Sequence, residues 1–177
     1  HQSEEIFCTK IYLDLKKRYM NGITIIIPRH IHRASDIKEE IEKIGLKVHL
    51  HSSGRKIDNK TDIYLVDTFG ETKLFIKICK IVFLGGSLIQ HGGQNPLESA
   101  RLGCKVIHGP NIDNFLEVYS LLNKNNISSK IRTISQAKNI VKKNINNKFS
   151  SKKIIKKLNS IGNEVLLNNQ KEINKYI

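Results

Sequence analysis

Two hydrophobic periods alternate along the chain. Residues 23–28, Ile-Thr-Ile-Ile-Ile-Pro, are almost wholly apolar and β-branched and close on a proline, the pattern of a strand buried on both faces. Residues 36–45 then place Ile37, Ile41 and Ile44 at helical spacing among Lys and Glu, and Gly45 ends the segment. The alternation continues, with strands predicted at 46–50, 62–67, 80–86 and 105–110 and helices at 72–79, 96–103 and 114–125. Later segments at 134–144 and 150–167 read as helices with basic outer faces. Short strands separated by helices fit an α/β fold on a doubly wound parallel sheet. With 177 residues, 39% of them hydrophobic, the chain can bury one core and carry a helical appendage. The longest apolar run, 23–27, is a strand's length and too short to span a membrane. No internal repeat and no Pro/Ser-rich linker interrupts it.

In a sheet of this kind ligands bind beyond the carboxyl ends of the strands, where helix N-termini point into a crevice. Four loops fall there: Pro28 to His30, Asp67 to Glu71, Gly85 to Gly93, and Asn95 to Glu98. Asn95 suits an N-cap, Pro96 the first helical position, Glu98 the third residue of a capping box, and Gly103 the C-terminus. Capping does not explain Gly85, Gly86, Gly92 and Gly93. Glycines there permit close backbone approach and expose amides near a positive helix end, which favours an anion such as phosphate. Neither a Walker lysine nor G-x-G-x-x-G is present, so the common nucleotide folds are not indicated.

Charge is concentrated at one end. The net charge is +14, and residues 123–177 hold twelve Lys, one Arg and two Glu, or +11 of it. Phosphate neutralisation by nucleic acid is one reading. Twelve Asn accompany the Lys, however, and no aromatic pair offers a base-stacking platform. A compositional bias toward Lys, Asn and Ile gives the same tail, and an anionic membrane surface is the next partner in line. Cys8, Cys79 and Cys104 are odd in number and lack CxxC spacing, which suits reduced buried thiols rather than disulfides or zinc. His30, His32, His91 and His108 have no metal-ligand spacing, and no metal is expected.

The segments PRHIHR, DTFGE, FLGGSL and GGQNPLE, in this order and at these separations, resemble the C-terminal half of the 3-deoxy-D-manno-octulosonic acid (Kdo) transferases. These are GT-B glycosyltransferases that place Kdo on the lipid A precursor. The likeness runs from His1 to about Tyr119 and is weaker in the helical tail. It implies a Rossmann-like CMP-sugar-binding domain at 21–125, preceded by the end of an interdomain segment and a first helix at 1–20, and followed by a basic helical tail at 126–177 packed on the domain. By resemblance, Pro28, Arg29, Phe69, Gly70, Glu71, Asn95, Pro96, Leu97 and Glu98 contact CMP, with Gly86 and Ser87 lining the pocket. Arg29 is suited to a phosphate oxygen, against the alternative of a surface ion pair. Glu98 can accept two ribose hydroxyls, and Gly70 with Glu71 can instead cap the helix from Thr72.

The implied reaction moves Kdo from CMP-Kdo to lipid IVA in lipopolysaccharide biosynthesis, at the cytoplasmic face of the bacterial inner membrane, with no cofactor. On this resemblance the acceptor-binding domain, the carboxylate base and the membrane anchor precede residue 1. The chain, which starts at His1 without an initiator Met or signal-peptide pattern, then reads as a fragment with no catalytic residue of its own, inactive alone. Two positions depart from the family pattern: Ser3 stands where glycine is usual in the segment joining the halves, and Gln94 where many relatives have His. The alternatives are another GT-B enzyme, a UDP-dependent transferase or epimerase, or a basic nucleic-acid-binding module. On the Kdo transferase reading no nucleic acid partner is expected.

Overall fold

In the computed structural model, residues 1–19, 22–146 and 150–176 are described. They form strands β1 (Thr24–Ile26), β2 (Val48–Leu50), β3 (Ile63–Leu65), β4 (Ile81–Leu84), β5 (Lys105–His108) and β6 (Ser128–Lys130). Around these pack helices α1 (Glu4–Lys16), α2 (Ala34–Lys43), α3 (Thr72–Ile78), α4 (Leu97–Arg101), α5 (Leu116–Lys124), α6 (Ile134–Asn146) and α7 (Ser151–Ile173). Every predicted strand and helix is present. β6 was not expected, because its own residues, Ser-Ser-Lys, carry no strand pattern. Its place comes from the flanking Ile127 and Ile131, 1% and 0% exposed, which anchor both of its ends. The boundary expected between residues 20 and 21 lies outside the described residues.

All pairings are parallel, but the strands form two sheets, β1-β3-β2 and β4-β5-β6. Among the described residues no ladder joins β1 to β4. β1 and β4 are the edge strands that face one another.

Three apolar clusters hold this arrangement. α1 and α2 cover the first sheet through Tyr12, Ile37, Ile41, Ile63 and Leu65. One face of the second sheet packs Val106 and Leu84 against Ala100 of α4, Tyr119 and Leu122 of α5, and Ile154 and Leu158 of α7. Its other face packs Ile107 and Phe83 against Ile11 and Leu15 of α1 and against Ala137, Ile140 and Val141 of α6. Val106 and Ile107 thus serve opposite faces, as the period of a strand requires. The two basic helices therefore bind opposite faces of one sheet, and most of their lysines point outward.

α1 is shared by both halves. Its Tyr12 sits in the first cluster and its Ile11 and Leu15 in the third. Polar bonds follow the same division. The Tyr12 hydroxyl donates to Asp62 (2.8 Å) and Lys16 pairs with Asp62 (2.5 Å) on the first half. Asp14 pairs with Lys138 (2.5 Å) and Tyr19 donates to Asn146 (2.5 Å) on the second.

Lys105 opens β5 and is only 8% exposed. Its Nζ donates to the carbonyls of Asn126 (2.7 Å) and Ser128 (3.1 Å), which ties β5 to the start of β6. Burial, with a contribution from Lys143, pushes its pKa down from 10.5 to about 8. Between those values the unfolded chain carries a proton that the folded chain has lost, so this residue's contribution to stability rises with pH. Replacement of Lys105 by Met removes that term. The melting temperature of the parent, measured relative to Lys105→Met, is expected to climb as pH rises from about 8 to 10.5. A difference that stays constant over the interval would contradict it.

Candidate functional site

A cleft of about 1100 Å³ opens between β1 and β4, and the residues of both strands form its walls. At its mouth stand Pro28 and Arg29 after β1, Phe69 and Gly70 after β3, and Gly85 and Gln94 beyond β4. These loops all leave the carboxyl ends of parallel strands, where ligands of such folds bind.

Pro28 is buried and ends β1, which leaves Arg29 projecting into solvent. Among the described residues the Arg29 guanidinium makes no hydrogen bond or ion pair, so the surface ion pair considered for it is not formed. Phe69 is 75% exposed. Beside it Gly70 has φ 86°, and a β-carbon there would meet nothing within 4 Å. Glycine is therefore demanded by the backbone turn rather than by space.

Glu71 is turned to other work. It stands at the N-cap of α3, yet its side chain makes no cap bond. Instead the carboxylate accepts from the Thr68 hydroxyl and lies 3.0 Å from His51 Nε2, whose Nδ1 meets the Tyr64 hydroxyl at 2.6 Å. The Thr68 hydroxyl and His51 hold its pKa below the usual carboxylate value. Asp67 next to it accepts from the Ser52 amide (2.8 Å) and hydroxyl (2.5 Å). Burial raises the Asp67 carboxyl, but these bonds outweigh it and the net shift is downward. The loop that presents Phe69 and Gly70 is thus locked from behind by β2 and β3.

The glycine loop does bind an anion, and the anion is the chain's own. Glu4, 3% exposed, accepts from the amides of Gly86 (2.6 Å), Ser87 (3.2 Å) and Leu88 (2.9 Å). A bound phosphate was the expectation here, and Glu4 takes its place. Gly86 and Ser87 consequently do not line the cleft. Both are buried behind it, and the Ser87 hydroxyl donates to Leu84 (2.6 Å) and accepts from the Gly109 amide (2.8 Å). Gly92 and Gly93, at φ 80° and 74°, fold the loop back, with the Gly93 amide donating to Gly86 (2.9 Å).

α4 starts three residues beyond the Gln94 wall, with Pro96 at its N-cap position, one residue later than expected, because the Pro96 carbonyl accepts the first helical bond, from Ala100 (3.0 Å). Asn95 Oδ1 accepts from the Leu97 amide (2.9 Å) and so closes the turn that leads into the helix. Glu98 does not close the capping box. It is exposed and makes no hydrogen bond or ion pair among the described residues. At the other end Cys104 donates to Ser99 (3.0 Å) and Gly103 to Ala100 (2.9 Å), the paired bonds of a Schellman stop, with Gly103 at φ 84°.

Pro28, Arg29, Phe69 and Gly70 line one cleft with Gln94, and Asn95, Pro96, Leu97 and Glu98 follow Gln94 outside that lining. Glu71, Gly86 and Ser87 are not among the residues that line it. Sequence reasoning missed Glu4 and His1. His1 lines the cleft with Nε2 buried and unbonded, its ring 4.5 Å from that of His91. Glu4 and Glu5 look like ordinary first-turn acids, and only the partners they meet in distant loops, amides for Glu4 and the Arg33 guanidinium for Glu5, distinguish them.

The fold is a Rossmann-like α/β domain with parallel sheets. No protein-family model matches the chain. Relatives are found among curated proteins: 3-deoxy-D-manno-octulosonic acid transferase of Haemophilus influenzae is 28% identical over 170 residues, 96% of this chain and 39% of that protein. The probable mitochondrial enzyme of that name from Arabidopsis thaliana is 33% identical over 128 residues, 71% of this chain and 29% of its own length. The C-terminal CMP-Kdo binding domain of WaaA from Acinetobacter baumannii superimposes with TM-score 0.83 at 24% identity, over 91% of this chain and 84% of that one. The chain is a homologue of the 3-deoxy-D-manno-octulosonic acid transferases and has the fold of that C-terminal domain. It spans well under half the length of these curated relatives.

Gly109 tests the packing behind the cleft. A β-carbon there would collide with the backbone oxygen of Ser87. Gly109→Ala must push the β4 and β5 loops apart, and is expected to cost roughly 1–3 kcal/mol of stability in thermal or denaturant unfolding. An unchanged unfolding midpoint would show that the loops are not packed this closely.

Proposed function

We propose that this chain is the donor-binding part of a Kdo transferase and that its cleft holds the CMP of CMP-Kdo. The observation that carries this reading is the Arg29 guanidinium, exposed, without a hydrogen-bond or ion-pair partner among the described residues, and lining the same cleft as Phe69 and Gly70. Arg29 supplies a permanent, planar cation for the phosphate. Glu98, with neither cap nor ion pair to satisfy it among the described residues, accepts the two ribose hydroxyls. The exposed Phe69 ring offers an apolar face to the base. No phosphate contact is assigned to the Gly86 and Ser87 amides, since Glu4 occupies them.

The chemistry that fits is displacement at the anomeric carbon of Kdo with CMP leaving. Arg29 stabilises the charge that develops on the departing phosphate. A carboxylate in the part of such enzymes that this chain does not span deprotonates the acceptor hydroxyl of a lipid A precursor. The same reading places the enzyme at the cytoplasmic face of the bacterial inner membrane. Support for that surface comes from the outward lysines of α6 and α7, among them Lys143, Lys152, Lys153, Lys156 and Lys157, which suit anionic headgroups. No described helix is long and apolar enough to cross a membrane.

Calorimetric titration tests the donor site: the chain is expected to bind CMP more tightly than UMP or AMP, and equal affinities would overturn the cytidine assignment. Glu98→Gln keeps the size of the side chain and removes its charge. It should weaken CMP binding by roughly 1–2 kcal/mol while leaving the melting temperature in place. If the melting temperature drops and CMP affinity holds, Glu98 is structural.

A further inference from the structure

The loop that carries Phe69 and Gly70 is fastened at both ends to consecutive residues that follow β2. Asp67 opens the loop and accepts from the Ser52 amide (2.8 Å) and hydroxyl (2.5 Å). Glu71 closes it, accepts from the Thr68 hydroxyl and lies 3.0 Å from His51 Nε2. Among the described residues neither carboxylate pairs with Lys or Arg, so His51 is the one source of positive charge at this contact. Both carboxyls have pKa values below the ordinary range, Glu71 through Thr68 and His51, Asp67 because its Ser52 bonds outweigh burial. They therefore stay ionised where a histidine titrates.

The groups around the His51 ring are accounted for on each element. Tyr64 of β3 meets Nδ1 at 2.6 Å, Glu71 meets Nε2, and Asp67 acts on the ring from the start of the loop. His49 of β2 stacks on Tyr64, and Phe75 of α3 stands edge-on to the His51 ring, with centroids 5.2 Å apart. In the neutral ring Nε2–H donates to Glu71 and Nδ1 accepts from the Tyr64 hydroxyl. In the cation Nδ1–H donates to the Tyr64 oxygen, and the hydroxyl turns to suit. One geometry thus serves both forms, and protonation adds charge to the Glu71 contact without breaking it.

We propose that His51 is a positioning residue for the Phe69–Gly70 loop, and that protonation of its ring tightens the Glu71 end, so that the cleft holds its ligand more strongly as pH falls through the histidine range. His51 does not line the cleft and acts through Glu71. A loop already held in place loses less freedom when a ligand orders it. The effect on nucleotide rests on the function proposed above, whereas the pH-dependent fastening does not.

CMP titrations of the parent and of His51→Gln from about pH 5 to about pH 8 test this. Glutamine puts an amide donor near the place of Nε2 and carries no charge. Ionisation of CMP and of the other histidines is common to both proteins, so the ratio of their affinities isolates the ring. The parent is expected to bind about threefold tighter at the acid end, the scale of a partly exposed ion pair, with the ratio closing towards one at the alkaline end. Should His51→Gln fail to fold, Glu71→Gln removes the charge on the other side of the contact and should give the same profile. A ratio that does not change with pH overturns the proposal. If the parent binds no CMP, the nucleotide assignment fails, and the fastening is judged on the free chain. There the Gly70 amide resonance should titrate with the midpoint of the His51 ring proton and lose that step in His51→Gln. A Gly70 resonance without the step refutes the fastening.

Discussion

The packing of α1 against both three-stranded sheets is the interaction on which the rest depends. Its Tyr12 enters the apolar cluster of the first sheet and its Ile11 and Leu15 that of the second. Its polar groups bond to both, Lys16 to Asp62 on one side, and Asp14 to Lys138 and Glu4 to the Gly86 amide on the other. A helix that shares its faces in this way ties the two sets of strands into one core.

The cost of this solution is visible at Ser3. It adopts φ 72°, the left-handed region, at about 1–2 kcal/mol for a residue with a β-carbon. The turn persists because the bonds of Glu4 and Glu5 depend on the direction in which it launches α1. The serine thus retains the conformation that glycine would adopt without strain. Nearby, burial and the charges of Glu4 and Glu5 push the Cys8 thiol up to about 12, so this thiol stays protonated and inert.

Much of the fold was legible because it is written locally. The β-branched run at 23–28 and the isoleucines at 37 and 41 state their period within a few residues, and β1 and α2 form where that period predicts. Ser128–Lys130 was not legible, since its strand character is lent by the partner β5 and the isoleucines around it. The same division holds for the site. The placement of Arg29, Phe69 and Gly70 at one cleft could be read from loop position and residue type. The tenant of the glycine loop could not, because Glu4 lies more than eighty residues away along the chain and its meeting with Gly86 is a product of tertiary packing. Nor could the commitment of Glu71 to His51, which joins two loops that the sequence keeps apart.

The central claim is that nucleotide binds at the outer loops while the glycine nest is already filled. Amide hydrogen exchange of the chain with and without CMP reads both parts residue by residue. The account predicts new protection on CMP binding at Arg29, Phe69, Gly70 and the first turn of α4, with Gly86 and Leu88 strongly protected beforehand and unchanged. Protection gained at Gly86 and Leu88 on addition of CMP, with none at the outer loops, would contradict it.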